Sequence, residues 1–180
     1  LGKAEAAEIL LRGLARLEYR GYDSAGVAVM QVGAPVEGGG SANKRQRVAT
    51  AGGHRVSVVK RSGKVSVLAG ACTAENAGGT LGIAHTRWAT HGPPTDANAH
   101  PHTSADGTLA IVHNGIVENF TLLRTELQRK GFMMRSDTDT ELIAHLIADV
   151  RSAQVGMPLE EAVRQALSQV HGAFGLAVIS

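Results

Sequence analysis

The sequence predicts a layered α+β or α/β domain. Three observations carry that expectation. Ala7, Leu10, Leu11, Leu14 and Leu17 recur at helical spacing, as apolar residues do again near the C-terminus. Short apolar runs of strand character, such as Val27 to Val32 and Leu109 to His113, stand between the helical segments. Helices and strands alternate only loosely, which suits sheets covered by helices. At 180 residues with a 43% hydrophobic share, one domain with a sizeable core is expected. Aromatics supply only 3%, so that core is built from Ala, Val, Leu and Ile.

Residues 3 to 18 read as an amphipathic helix. The segment Tyr19-Arg20-Gly21-Tyr22-Asp23-Ser24-Ala25-Gly26 ends it with two glycines and turn formers. Residues 27 to 32 form a buried strand. Residues 33 to 54, rich in Gly, Ala and Ser, read as a flexible insertion loop. Arg55 to Lys60 alternates as an edge or half-buried strand would. Residues 64 to 77 are expected to be one helix, and 80 to 84 and 109 to 113 short strands. Helices follow over 119 to 130, 138 to 152 and 158 to 170, the last with Pro158 at its entry, where a missing amide hydrogen matters least. Residues 173 to 179 close with a strand. There is no internal repeat.

Composition also excludes classes. No apolar run approaches the roughly 18 residues that would suggest a membrane span. The start, Leu-Gly-Lys-Ala-Glu-Ala-Ala-Glu, has no secretory character. A single cysteine, Cys72, rules out an internal disulfide framework and fits a reducing compartment. Net charge is +2, and the basic knot Lys44-Arg45-Gln46-Arg47 lacks interleaved aromatics. It reads as a solvated loop, so neither nucleic acid nor membrane is expected as a partner. Leu1 is not an initiator Met, and Gly172 to Ser180 stops within a strand-like run, so both ends read as fragment boundaries.

The densest chemistry lies in Gly82-Ile-Ala-His85-Thr86-Arg87-Trp88-Ala89-Thr90-His91-Gly92. An apolar strand enters a cluster that could grip a small polar ligand: Arg87 to fork a carboxylate, threonine hydroxyls to fix it, Trp88 to exclude water. A buried Trp beside a stray ion pair is the plain alternative. Asn114-Gly115 follows a strand. A tight hairpin turn is the ordinary meaning, and an oxyanion hole, from the Asn114 amide and the Gly115 N–H, is the functional one. Asp137-Thr138-Asp139-Thr140-Glu141 opens a helix; Asp137 or Thr138 could cap it, leaving a second acid to meet an ammonium group. His91, His100, His102 and His113 lack the cysteines or HExxH of a zinc site, and hydrogen-bonded loop and core histidines are the better reading, so no metal is assigned. Cys72 has no histidine nearby in sequence and reads as a small half-buried side chain on a helix.

Taken together, the segments at 17 to 26, 85 to 92, 98 to 102 (Asn-Ala-His-Pro-His), 112 to 119 (Val-His-Asn-Gly-Ile-Val-Glu-Asn) and 136 to 141 closely resemble, in order and spacing, the glutaminase domains of the glutamine–fructose-6-phosphate aminotransferase (isomerizing) family. The related amidophosphoribosyltransferase glutaminases share the fold and the Arg and Asn-Gly logic. They have a His-Arg-Gly-Gln-Glu-Ser-Ala-Gly type of segment where this chain has Tyr-Arg-Gly-Tyr-Asp-Ser-Ala-Gly, and they lack the Trp-Ala-Thr-His run. The resemblance implies a class II glutamine amidotransferase domain over 1 to 180, with an αββα N-terminal nucleophile fold whose first strand is truncated. It implies Arg87 on the glutamine α-carboxylate with Thr90 and His91 beside it, and Asp139 on the α-ammonium. Asn114 and Gly115 would form the oxyanion hole, Trp88 the closing loop, and Arg20 would order the N-terminal end. It implies no cofactor. Glutamine is the expected ligand, and C-terminal sugar-phosphate isomerase domains, through which the protein would form a homo-oligomer, are the expected partners. The location is expected to be cytoplasmic, with an organelle left open. The family's nucleophile is a cysteine at the mature N-terminus, which the family spacing places roughly six residues ahead of Leu1. The chain as written is therefore expected to be inactive. The alternatives are a non-catalytic glutamine-binding or regulatory module, or an amidophosphoribosyltransferase-like glutaminase.

Overall fold

A computed structural model describes residues 5–21, 23–32, 54–88 and 92–180. Helix α1 (Ala6–Leu17) turns Ala6, Ala7 and Leu14 inward and ends in one 3₁₀ turn over Glu18–Arg20. Strand β1 (Ser24–Val32) follows. Its unbroken burial from Ser24 to Val29 is that of a central strand covered on both faces. It pairs antiparallel with β2 (His54–Ser62) on one side and β3 (Leu81–Arg87) on the other. The alternation seen in Arg55 to Lys60 thus belongs to an edge position among the described strands. Of the loop expected over 33 to 54, residues 33 to 53 lie outside the described residues, and His54 opens β2.

The single helix expected over 64 to 77 is two: α2 (Val65–Ala71) and α3 (Ala74–Ala77). Thr73 is the cause. Its backbone is extended, and its N–H donates to Asn76 Oδ1 at 2.7 Å, which starts a new helix inside the run. Cys72 therefore sits just after α2, half-buried, rather than within a helix.

The second sheet holds β4 (His102–Thr103), β5 (Ala110–Gly115) and β6 (Phe174–Ile179) in the order β4-β5-β6, all antiparallel. Strand β4 is two residues long, too short for any period to show in the sequence. Helices α4 (Phe120–Arg129), α5 (Asp139–Ser152) and α6 (Leu159–Leu167) cover this sheet, burying Ile111, Leu123, Leu142, Ile147 and Ala162 in one core. Helices α1 and α2 cover the first sheet through Leu14, Val27, Val29 and Leu68. Between the sheets lie Ala28, Val56, Ala110 and Ile179. The order is helix, sheet, sheet, helix, the αββα layering that the sequence resemblance implied.

Small residues let the layers approach. A Cβ on Gly26 would stand 2.2 Å from the carbonyl oxygen of His100, which belongs to the segment that enters β4. Gly70 in α2 has nothing within 4 Å of its Cβ position. Gly26→Ala is therefore expected to destabilise by about 2–3 kcal/mol or more through overpacking. Gly70→Ala is expected to stabilise by about 0.5–1 kcal/mol through helix propensity. Urea unfolding of the two variants checks both signs.

Candidate functional site

The C-terminal ends of β3 and β5 meet at a cavity of about 610 Å³, walled also by the end of α1 and the first turn of α5. Arg87 is the last residue of β3 and only 5% exposed. Burial pulls its guanidinium below the ordinary value, against which the carboxylates of Asp139 and Asp23 act. Trp88 follows at the mouth, 63% exposed. The turn carrying Arg20, itself exposed on the rim, presses against this strand end. A Cβ on Gly21 would be 3.1 Å from the Trp88 nitrogen. Thr90 and His91 lie outside the described residues.

Asn114 and Gly115 are not a hairpin turn. They end β5 and pair with Gly175 and Phe174 of β6. Gly115 has φ +141°, and a Cβ there would lie 2.5 Å from the Ala173 carbonyl oxygen. Both the backbone conformation and the space demand glycine. The Asn114 side chain reaches the cavity, with its Oδ1 2.8 Å from His85 Nε2.

Asp139 opens α5, where the helix dipole favours an acid. The expected side-chain cap is absent. The Thr138 hydroxyl turns instead to His102 Nε2 at 2.9 Å, and Asp137 forms a reciprocal pair with Asn98. Asp139 Oδ2 accepts the Val117 N–H at 3.0 Å, while Oδ1 stands 3.8 Å from His113 Nδ1. Glu141 folds back onto the preceding turn. It accepts the Arg135 and Ser136 amides at 2.8 and 2.7 Å and the Ser136 hydroxyl at 2.7 Å. Burial would raise this carboxyl, but hydrogen bonds from His145, Ser136 and Arg135 bring it down to about 2.

Beneath the cavity lies a cluster of histidines. The rings of His85 and His100 stack at 4.5 Å, and His102 meets His100 edge-on at 5.1 Å. Burial lowers the pKa of His85, His100, His102 and His113, that of His102 to about 3. All four are neutral at pH 7, so the His113–Asp139 contact joins a neutral ring to a carboxylate. Proton accounting orders the bonds. The backbone N–H of His113 donates to His100 Nδ1 at 3.5 Å, so His100 carries its proton on Nε2 and donates it to Thr140 Oγ1 at 3.1 Å. His113 Nδ1 lies 3.1 Å from the same hydroxyl, which in turn donates towards Asp139 Oδ1 at 3.5 Å.

A second cavity of about 450 Å³ lies beside β2 and β4, near Glu141 and His102. Its Lys60 donates to the Ala97 carbonyl at 3.0 Å, and its Arg55 to Gln31 Oε1 at 2.7 Å. Cys72 lines neither cavity, and burial raises its thiol pKa, which disfavours the thiolate. No helix of the described residues is long and apolar enough to cross a membrane.

The structure thus brings Arg20, Arg87, Trp88, Asn114, Gly115 and Asp139 to one cavity. Sequence reasoning missed His85 and Thr140. A signal for His85 was present, because residues two apart on a strand share a face, and His85 stands two before Arg87. Thr140 gave none, since its role depends on what packs against the helix start.

A family signature described as a glutamine amidotransferase domain matches residues 85–180. The chain belongs to the glutamine amidotransferase domain family. It is similar over its whole length to proteins named glutamine–fructose-6-phosphate aminotransferase (isomerizing). That of Chlorobaculum tepidum is 45% identical over 183 residues, covering 100% of this chain and 26% of the relative. Those of Thermus thermophilus and Aliivibrio fischeri are 47% and 48% identical, each covering 99% of this chain and 25% of the relative. The chain spans about a quarter of the length of these relatives. Among solved structures, the glutamine phosphoribosylpyrophosphate amidotransferase of Bacillus subtilis superposes with a TM-score of 0.72 at 24% identity. It covers 99% of this chain and 34% of that one. A structure described as the allosteric regulatory enzyme of purine biosynthesis gives the same TM-score at 25% identity and the same coverage. These two show the fold, that of the N-terminal nucleophile hydrolases.

The histidine cluster sets an acid limit on stability. Each ring is held below its unfolded value near 6.5, so the unfolded chain binds more protons as pH falls through 6.5. Stability is full above that pH and falls below it, by up to about 1.4 kcal/mol per pH unit per histidine. Glu141, held to about 2, adds a second loss from about 4.5 downward. Melting temperatures between pH 7.5 and 5 should fall steadily. A flat profile would contradict the buried neutral cluster.

Proposed function

We propose that the cavity binds L-glutamine and, within the longer protein, hydrolyses its side-chain amide to release ammonia. The observation that carries this reading is the convergence of three separate chain segments on one cavity. They bring a buried guanidinium, Arg87, a carboxylate at a helix start, Asp139, and the Asn114-Gly115 pair. A zwitterionic amino acid suits the first two: Arg87 forks its α-carboxylate and Asp139 meets its α-ammonium. The side-chain amide then lies towards Asn114 and Gly115, whose donors meet the oxygen as it gains charge. The neutral histidine floor leaves Arg87, Asp139 and the exposed Arg20 as the charged groups of the described lining. Trp88, Thr90 and His91 complete the closing segment in this reading, and Arg20 orders the adjoining turn.

The nucleophile in the family is the thiol of an N-terminal cysteine, with its own α-amino group as base. The thiol adds to the amide carbon, ammonia leaves, and water releases glutamate from the thioester. Cys72 takes no part. As in the relatives by name, the ammonia would be used to aminate fructose 6-phosphate. On this reading residues 1 to 180 are the glutaminase domain of a cytoplasmic, homo-oligomeric enzyme whose isomerase domains follow.

Calorimetric titration tests the binding reading on this chain. L-glutamine should bind, and Arg87→Ala and Asp139→Asn should each weaken it by about 1.5–3 kcal/mol, the scale of a charge-assisted hydrogen bond. Unchanged affinity in both variants would show that the two ends of glutamine are misplaced.

In the longer protein with its N-terminal cysteine, Asn114→Ala should lower kcat by about 10²- to 10³-fold with little change in KM. Normal turnover per folded molecule would remove Asn114 from the oxyanion site.

A further inference from the structure

We propose that His85 is a positioning residue that fixes the direction of the Asn114 side-chain amide, turning its NH₂ group into the cavity. The proposal rests on the reading of that cavity as an amide-hydrolysing site, but its geometric half stands on its own.

An asparagine side chain can face a site with either end, and only one end stabilises a developing oxyanion. Something must therefore hold the amide against rotation. His85 Nε2 lies 2.8 Å from Asn114 Oδ1. Two arrangements satisfy such a contact. In the first, His85 carries its proton on Nε2 and donates to Oδ1, which leaves both Asn114 N–H bonds for the cavity. In the second, the amide is flipped and its NH₂ donates to Nε2, so the proton must sit on Nδ1.

The other ring nitrogen decides between them. His85 Nδ1 is buried and has no hydrogen-bond partner among the described residues. In the first arrangement it is a lone pair left bare. In the second it is an N–H donor left bare, the costlier orphan. Desolvation also holds this half-buried ring neutral, so it does not carry both protons at once. The Nε2–H tautomer follows, and with it the direction of Asn114.

The ring itself is fixed. His85 is on β3, in register with Gly26 of the central strand, and it stacks on His100 at 4.5 Å. His100 is in turn held by the Thr140 hydroxyl and the His113 amide. The direction of the amide on β5 is thus set from β3, across the cavity floor, by a group that need not touch the ligand.

Nitrogen-15 correlation spectra of the 180-residue chain test the geometric half directly. His85 is expected as the neutral Nε2–H tautomer, with the Asn114 NH₂ group free of a protein acceptor. The Nδ1–H tautomer would overturn the proposal whatever the activity. Kinetics of the longer protein test the functional half. His85→Ala should lower kcat about 10- to 100-fold, short of the Asn114→Ala loss, with glutamine affinity unchanged within about twofold. His85→Gln, whose amide can donate to the same Oδ1, should recover most of it. The double variant His85→Ala/Asn114→Ala should be no slower than Asn114→Ala alone, because both act through one donor. Independent, additive losses, or a His85→Ala effect confined to KM or melting temperature, would overturn it. If the unaltered longer protein releases no ammonia from glutamine, the functional reading fails, while the tautomer still decides whether His85 directs Asn114.

Discussion

One hydroxyl organises the active end of this fold. Thr140 Oγ1 is fully buried in the first turn of α5, 3.1 Å from the imidazoles of both His100 and His113. Those two rings come from the segment entering β4 and from β5, so a single atom ties a helix start to two other segments. Being neutral, the rings can be buried without a charge to solvate. Asp139, the residue before Thr140, is placed by the same anchor, and its Oδ2 is held by the Val117 amide. Arg87 enters from the other sheet, where its partner in register is Ser24. The position of the carboxylate relative to the guanidinium therefore depends on how the two sheets stack, and that stacking runs through small residues such as Ala28 and Ala110.

The site spends polar groups on geometry rather than on charge. The buried His100, His102 and His113 and the half-buried His85 bond threonine hydroxyls, an asparagine and a backbone amide. Glu141, the one buried acid among the described residues, is satisfied by the backbone amides of the turn before its helix, which also fixes where α5 begins. The result is a hydrogen-bonded floor with little charge of its own, in a cavity also lined by the charged Arg87 and Asp139. The same economy carries a cost at low pH, since each of those rings must stay unprotonated for the floor to hold.

Much of this was legible in the sequence because it is periodic. The five apolar-patterned segments from 109 onwards fall close to the strands and helices observed, and the alternation of Arg55 to Lys60, that of an edge or half-buried strand, falls on β2. Arg87 stood out by residue type, and Asn114-Gly115 as a possible alternative to a turn; only the family resemblance narrowed the acids of 137 to 141 to Asp139, and all of these reach one cavity. What was not legible depends on contacts. The break at Thr73 hinges on a side-chain acceptor three residues on, and β4 is too short for any pattern. Asn114-Gly115 has the letters of a hairpin turn, and only the distant partner β6 makes it the end of a strand. Thr138 has the letters of a cap, yet its hydroxyl is claimed by His102 from another segment.

In the proposed function Arg87 and Asp139 hold the two ends of a glutamine molecule whose amide lies at Asn114 and Gly115. A crystal structure of the chain soaked with L-glutamine tests it most directly. The α-carboxylate should lie about 2.7–2.9 Å from the Arg87 guanidinium and the α-ammonium at a similar distance from Asp139, with the amide oxygen nearest the Asn114 NH₂. Glutamine bound in the reverse sense, or in the cavity beside Lys60 and His102, would contradict the account.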